Sequence, residues 1–139
     1  MKDGKVKVRI RSLQQKDGEK ADFILETEGE LITKNQKKYI RYTEVDEEGH
    51  ETKNRLVIDA SEIHLKKSGQ NVFDMRFAKE VESAGIYETP YGSFATVITT
   101  TEIVWEETDT EIQVALDYSL EMQNAHVADC HMDIRICES

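Results

Sequence analysis

The alternation of apolar and polar side chains at every second position is the feature that most constrains how this chain folds. It runs through KVKVRIR at residues 5–11, EIQVALDYSLEM at 111–122 and ADCHMDIRI at 128–136. Successive side chains of a β-strand point to opposite faces, so one face of each segment is apolar and the other is polar. This pattern predicts antiparallel strands that bury one face and leave the other in water.

Turn-forming residues divide the rest of the chain. They cluster at 16–20, 46–51, 67–71 and 106–111. The segments between them predict seven further strands, at 21–34, 38–45, 52–59, 61–67, 72–78, 81–88 and 92–106. No segment predicts a long helix, although Phe77–Gly85 fits a helical turn or two as well as a strand. At 139 residues the chain has the length of a single domain, residues 1–139. We therefore predict an all-β fold, an up-and-down antiparallel barrel of about eight to ten strands.

Breaks in the alternation predict where strands bend. The apolar face that includes Ile98 resumes at Ile103 with the opposite parity, and the face that ends at Ile10 is followed by Leu13. A one-residue change of parity requires a β-bulge or a sharp bend if the apolar face is to stay buried. Gly29 marks another candidate bend. Bends of this kind allow a long sheet to close on itself.

The parity of the last two segments predicts a hairpin register. Residues 111–123 and 127–137 both place even-numbered apolar residues on the inner face. An odd-numbered loop, Asn124-Ala125-His126, keeps these faces together. The expected partners are Leu120 with Cys130, Tyr118 with Met132, and Leu116 with Ile134.

Composition narrows the classes of function and location. The formal net charge is -10, and an acidic surface repels phosphate backbones and anionic lipids, so we expect neither a nucleic-acid partner nor a membrane partner. The N-terminal segment lacks an apolar signal core and no apolar run is long enough to span a bilayer, which favours a cytoplasmic location. Cys130 and Cys137 on one strand would lie roughly 23 Å apart, so no disulfide is expected between them.

The segment YETPYGSF, Tyr87–Phe94, contains the only proline of the chain. Proline cannot donate to a ladder and glycine tolerates positive φ, so Pro90 and Gly92 predict a turn between two strands. The simplest interpretation is a structural corner. The alternative is a ligand-binding lip at a barrel mouth, because aromatic rings with hydroxyl tips suit small ligands. The lip candidates are Tyr87, Thr89, Tyr91, Ser93 and Phe94.

Three further residues are candidates for the barrel interior. Thr96 and Thr100 share parity with Ile98, and Tyr118 shares parity with Leu116 and Leu120. Threonines that face inward would place hydroxyl groups in the barrel interior. The alternative is that they only fill space and form hydrogen bonds with the backbone.

Motifs for metal binding and catalysis are weak. His126, Cys130 and His131 resemble a metal cluster in sequence, but His131 points away from the other two in an extended strand, so no metal site is expected. There is no Gly-rich phosphate loop and no GxSxG, HExxH or CxxC motif. The acidic residues Glu44, Asp46, Glu47 and Glu48 are interpreted as a solvated turn. We predict no cofactor, and the sequence favours a non-catalytic protein.

Four motifs together resemble the YwiB-like family, which comprises small bacterial proteins of unknown function described as calycin-like β-barrels. They are KVKVRI, KKYIRYTE, YETPYGSF followed by a Thr-rich strand, and the terminal MDIRI. The resemblance covers nearly the whole chain, and YETPYGSF is its most specific part. It implies a closed, calycin- or lipocalin-like antiparallel barrel. It implies no activity and no catalytic residues.

Two functional hypotheses follow, with an enzyme as a distant third. The first is a non-catalytic barrel that binds a small apolar or amphipathic ligand, by analogy with barrels of this size. The alternative is a protein–protein interaction module that uses the barrel wall or the Tyr87–Phe94 lip. A monomer or a homodimer is compatible with either hypothesis.

Overall fold

Ten antiparallel strands make up the fold. A computed structural model describes residues 1–139, the whole of the sequence. The strands are β1 (Gly4–Lys16), β2 (Glu19–Lys34), β3 (Lys37–Val45), β4 (Glu51–Ile58), β5 (Glu62–Ser68), β6 (Val72–Ala78), β7 (Glu82–Thr89), β8 (Gly92–Glu107), β9 (Glu111–Met122) and β10 (Ala125–Glu138). Each strand pairs with its neighbours in sequence, and β1 also pairs with β10, so the sheet closes into a barrel. The predicted all-β, up-and-down antiparallel barrel is confirmed, and Phe77–Gly85 forms strands joined by a turn rather than a helix.

The alternation in the sequence becomes the inner and outer faces of this barrel. Buried apolar side chains come from every strand except β7, whose inner face carries Ser83, Gly85, Tyr87 and Thr89. The turns after β1, β3, β5, β7 and β9 lie at one end, which we call the upper end. Large side chains that are fully buried fill the lower half, among them Leu31, Ile40, Ile58 and Phe77. The lower half is therefore packed solid, and any space for a ligand lies above it.

The predicted bulge in β8 is confirmed, and the predicted bulge in β1 is wrong. The pairing of β8 with β9 shifts between Thr100 and Glu102, which returns Ile103 to the inner side. In contrast, β1 pairs without interruption with both β2 and β10. Leu13 therefore lies on the outer face, opposite His131. Leaving Leu13 half-exposed on the outer wall costs less free energy than interrupting the hydrogen bonds of β1 with both β2 and β10.

The predicted register of the last hairpin is also wrong. The turn contains only Gln123 and Asn124, both with positive φ (52° and 65°), as a two-residue hairpin turn of the primed type requires. The observed partners are Leu120 with Ala128, Tyr118 with Cys130, and Leu116 with Met132. A bulge between His126 and Ala128 restores the parity. A two-residue turn and a one-residue bulge therefore replace the expected three-residue loop.

Candidate functional site

A cavity of 210 Å³ opens at the upper end of the barrel. Strands β1, β2, β3, β5 and β10 contribute its walls. Most of the lining side chains are apolar; the charged ones lie on β3 and β5, and two uncharged polar ones, Ser12 and Gln14, lie on β1. The lining residues are Ile10, Ser12, Gln14, Phe23, Ile24, Leu25, Tyr42, Glu44, Leu65, Lys67 and Met132.

An ion pair stands in the cavity wall. The Nζ atom of Lys67 donates to Oε1 of Glu44 at 3.0 Å and to Oδ1 of Asn54 at 3.1 Å. The Lys67 and Glu44 side chains are 29% and 30% exposed, so both are largely withdrawn from water. Asn54 is 3% exposed, and its amide nitrogen donates to the carbonyl of Thr52 at 3.2 Å. The pair is therefore held in place by a buried amide whose own bonds are satisfied.

Tyr42 adds an unused hydrogen-bonding group to the same cavity. The residue is 4% exposed, and its hydroxyl has no hydrogen-bond partner. Burial, and to a smaller degree the nearby Glu44 carboxylate, raise the pKa of this phenol. The group therefore stays neutral and remains a donor. Buried polar atoms are nearly always bonded, so an unpaired hydroxyl on a cavity-lining residue is one that a bound molecule could satisfy.

The sequence interpretation missed this site because it placed Glu44 in a solvated turn. Glu44 instead continues the inner face of β3 beyond Ile40 and Tyr42, and Lys67 continues that of β5 beyond Ile63 and Leu65. The signal was available in the alternation, because both charged residues share the parity of the apolar residues before them. Their pairing across β4 was not available from the sequence, because it depends on the registers of two ladders.

The segment Tyr87–Phe94 forms the turn between β7 and β8, with Pro90 and Tyr91 at its tip. The Thr89 hydroxyl donates to the carbonyl of Gly92 at 3.0 Å and accepts from the Tyr91 amide at 3.1 Å, which stabilises the corner. Tyr91 is 96% exposed.

The lip candidates lie along one hairpin, in which Tyr87 pairs with Phe94 and Thr89 with Gly92. Tyr87 stacks on Phe73 with ring centroids 5.0 Å apart, and its hydroxyl accepts from Asn71. Phe94 is partly exposed, and Ser93 is exposed. None of Tyr87, Thr89, Tyr91, Ser93 and Phe94 lines the 210 Å³ cavity, although their turn lies at the same end of the barrel.

The three interior candidates are all buried. Thr100 pairs with Tyr118, and Thr96 lies two residues earlier on the inner face of β8 than Ile98. The hydroxyls of both threonines lack hydrogen-bond partners. Burial raises the pKa of the Tyr118 phenol and that of the Cys130 thiol next to it. These residues lie outside the lining of the cavity.

The residues His126, Cys130 and His131 are separated by the wall of the barrel. Cys130 faces inward, whereas His126 pairs on the outside with Asp129 at 3.1 Å. The bulge after His126 causes this separation, because it changes the face on which the residue lies. No group of three or more His, Cys, Asp or Glu side chains is placed to hold a metal ion. Both cysteines are free.

His131 lies on the outer wall between two carboxylates. Its Nδ1 lies 2.6 Å from Oδ1 of Asp117 on β9, and its Nε2 lies 3.0 Å from Oδ2 of Asp133 on its own strand. Leu13 faces it from β1, and Arg11 lies close enough to act on Asp133. The hydrogen bond to Asp117 is the main cause of a raised pKa of His131; burial opposes it, and the charge of Asp133 adds to it.

The position of His131 between Asp117 and Asp133 predicts a pH-dependent contribution to stability. Because the folded pKa lies above the ordinary value of 6.5, the stabilisation is fully present below about pH 6.5 and is lost as pH rises through the raised pKa. Water screens these partly exposed pairs, so we expect about 0.5 kcal/mol. Urea unfolding should show that His131→Gln costs more at about pH 6 than at about pH 9 by this amount. Equal costs of His131→Gln at both pH values would contradict the prediction.

The sequence model of a protein family, DUF1934 (a domain of unknown function), matches residues 8–134 of this chain. This chain belongs to the DUF1934 family. A crystal structure of the YwiB protein from Bacillus subtilis matches this DUF1934 barrel with a TM-score of 0.87 and 18% identity, over 99% of this chain and 93% of that chain. At this identity the likeness shows the fold alone, and it confirms the resemblance inferred from the sequence.

A second solved structure is less similar to the DUF1934 barrel. It is a protein of unknown function from Bacteroides ovatus, with a TM-score of 0.38 and 13% identity, covering 98% of this chain and 41% of that chain. It carries no argument about fold or function. No curated protein matches the sequence. The structure contains no helix with the length and apolarity needed to cross a membrane.

Proposed function

We propose that this DUF1934 barrel binds a small amphipathic molecule with a neutral polar head in the upper cavity. The observation that carries the proposal is that Tyr42, a residue of the cavity lining, has a buried hydroxyl without a hydrogen-bond partner. An unpaired buried hydroxyl is costly, and a ligand that accepts its hydrogen bond removes that cost. We take the function to be binding because the charged groups of the lining, Lys67 and Glu44, are already engaged with each other.

The chemistry of the polar residues selects the head of the ligand. Lys67 has three N–H donors and uses two of them, on Glu44 and Asn54. Its charge is already neutralised by Glu44, so a ligand carboxylate would add an uncompensated negative charge to the cavity. A hydroxyl or amide head instead accepts from Tyr42 and Lys67 and donates to the second oxygen of Glu44. These features favour alcohols and amides over acids.

The apolar walls select the rest of the ligand. Ile10, Leu25, Leu65 and Met132 are among the apolar residues that line the cavity. Burying apolar surface against them contributes about 25 cal/mol per Å². The volume of 210 Å³ is below the common range for drug-sized ligands, about 300–1,000 Å³. The ligand is thus a short chain or a single ring with one polar head.

Titrations with two probes of equal chain length test this function. We expect 1-octanol to shift the amide NMR resonances of residues 42–44 and 65–67 with saturation, and octanoate to bind at least about tenfold more weakly, because it brings a charge that the site does not compensate. Ser12→Trp places a large ring in the cavity and should abolish both shifts. The matched variant Lys7→Trp changes an exposed position of the same strand and should leave them intact.

Two outcomes contradict the proposal in different ways. Absence of saturable shifts with both probes, or equal shifts in Ser12→Trp, would remove the cavity as a binding site. Octanoate binding as tight as octanol binding would retain the cavity and reject the neutral head.

A second candidate function, contact with another protein, is supported by one observation. The ring of Tyr91 is almost fully exposed at the tip of the β7–β8 turn, and Ile86 and Phe94 on the adjoining strands are also exposed. Tyrosine is enriched among residues that dominate binding energies at interfaces. Light scattering and pull-down assays distinguish the two functions, because a monomer without a protein partner counts against this one.

A further inference from the structure

A row of positive charges crosses the outer wall of the barrel on three adjacent strands. Arg41 on β3 lies directly opposite Arg55 on β4, and Arg55 lies directly opposite Lys66 on β5. Lys53 lies two residues before Arg55 on the same face of β4, which makes four cations in one patch. We call Arg41, Lys53, Arg55 and Lys66 the basic row. Like charges at opposed positions of a sheet are destabilising, so this arrangement has a cost in the unliganded protein.

The basic row lacks the carboxylate partners that the other arginines have. Arg9, Arg11, Arg76 and Arg135 each pair with an acidic side chain at 3.1 Å or less. In the basic row only Arg41 approaches a carboxylate, that of Glu30 at 4.0 Å. Arg55 instead lies 5.4 Å from the centre of the Tyr39 ring.

This difference is unexpected in a chain with 28 acidic and 18 basic residues. Carboxylates are abundant, yet they are absent within 4 Å of Lys53, Arg55 and Lys66 in the structure. Of the arginines, Arg55 alone has no carboxylate within 4 Å, so the patch is distinguished by its arginines rather than by its lysines.

The shape of the surface around the basic row is concave. A depression of 840 Å³ lies between these long side chains, and the short side chains of Thr43 and Ser68 lie within its lining. Two guanidinium groups at opposed positions, with hydroxyls beside them, supply many N–H and O–H donors to the lining of the depression. Guanidinium groups bind phosphate and carboxylate oxygens in a bidentate way, so the depression is suited to an oxyanion.

We propose that the basic row binds a compact polyphosphate group, such as the pyrophosphate moiety of a small molecule. Acidic residues flank the row on both sides, since Glu30 lies opposite Arg41 and Asp74 lies opposite Lys66. The row therefore spans three strands, about 10 Å. A nucleic acid would extend over these carboxylates and over a surface with a net charge of -10. A pyrophosphate places several negative charges within the row, whose four cations outnumber the two carboxylates, Glu28 and Glu30, that also line the depression. The site opens on the outer wall, and its lining shares Tyr42 with the upper cavity.

Calorimetric titration with inorganic pyrophosphate at low ionic strength tests the site. We expect saturable binding to the wild-type protein and binding at least about tenfold weaker for Arg41→Gln/Arg55→Gln, because hydrogen bonds between charged groups are lost. The matched control Arg9→Gln/Arg11→Gln removes the same charge from paired arginines and should bind like the wild type. Without ligand, Arg41→Gln/Arg55→Gln should unfold at an equal or higher urea concentration, since it removes like-charge repulsion.

Three results would overturn the inference. They are absence of binding to the wild type, equal loss of binding in the control double variant, and tighter binding of a 12-nucleotide single strand than of pyrophosphate. The last result would assign the basic row to nucleic acid instead. A double variant that fails to fold would also contradict the repulsion on which the inference depends.

Discussion

Replacing Phe77 with alanine is expected to lower the free energy of unfolding by about 3–5 kcal/mol, the largest single effect in this barrel. The ring is fully buried in the solid lower half, and it meets the Tyr118 ring edge-on with centroids 4.8 Å apart. Truncation removes the transfer free energy of the ring and leaves a cavity that the surrounding strands cannot close. Urea unfolding monitored by circular dichroism measures the change.

The control for this prediction is the same substitution at an exposed position. Phe23 lies at the upper rim and is 57% exposed, so Phe23→Ala should cost less than about 1 kcal/mol. A cost of Phe77→Ala as small as that of Phe23→Ala would mean that the lower half is loosely packed.

Replacing Gly29 with alanine is expected to lower the free energy of unfolding by about 3 kcal/mol. A Cβ atom at this position would lie 2.6 Å from the backbone carbonyl oxygen of Arg41 and 3.3 Å from Cγ2 of Val8. A backbone atom in a ladder cannot move aside as a side chain can, so β2 and β3 must separate locally. The lower entropy of alanine in the unfolded chain offsets only about 0.4–1 kcal/mol of this cost.

The neighbouring exposed position provides the control for Gly29. Glu28→Ala changes the outer face of the same strand and should alter stability by less than about 0.5 kcal/mol. The alanine methyl group would also lie 3.3 Å from the Cβ of Tyr42, so Gly29→Ala should weaken binding of 1-octanol in the upper cavity as well. Wild-type stability in Gly29→Ala would show that β2 and β3 do not approach as closely as the structure has them.

The strands and their faces were predictable because the signal is local. Alternation is visible within any six or seven residues, and it placed Thr96, Thr100 and Tyr118 on the inner side of the wall. The bulge in β8 was predictable for the same reason, since parity changes within one strand. The turn after β9 was not, because a two-residue turn with one bulged residue produces the same parity as a three-residue loop. The parity of the apolar positions shows that an odd number of residues separates the two faces. It does not show whether the odd residue lies in the turn or in a bulge.

The candidate sites were far less predictable than the strands. Lys67 and Glu44 are 23 residues apart in the sequence. They meet only because β4 lies between their strands and pairs with β3 and with β5 in the registers observed. Arg41 and Arg55 face each other for the same reason. The composition indicated an acidic surface, because the net charge of -10 is a sum over the whole chain. That sum does not reveal a local patch of cations such as the basic row.

The sequence by itself determined that this protein is a barrel of alternating strands, which side of each strand is apolar, and where β8 bends. These properties arise from the geometry of neighbouring residues in an extended chain. Only the tertiary structure decided which charged groups are paired, which hydroxyls are left without partners, and where cations accumulate. Those properties depend on closure of the sheet and on ladder register, which bring together residues that local sequence does not connect.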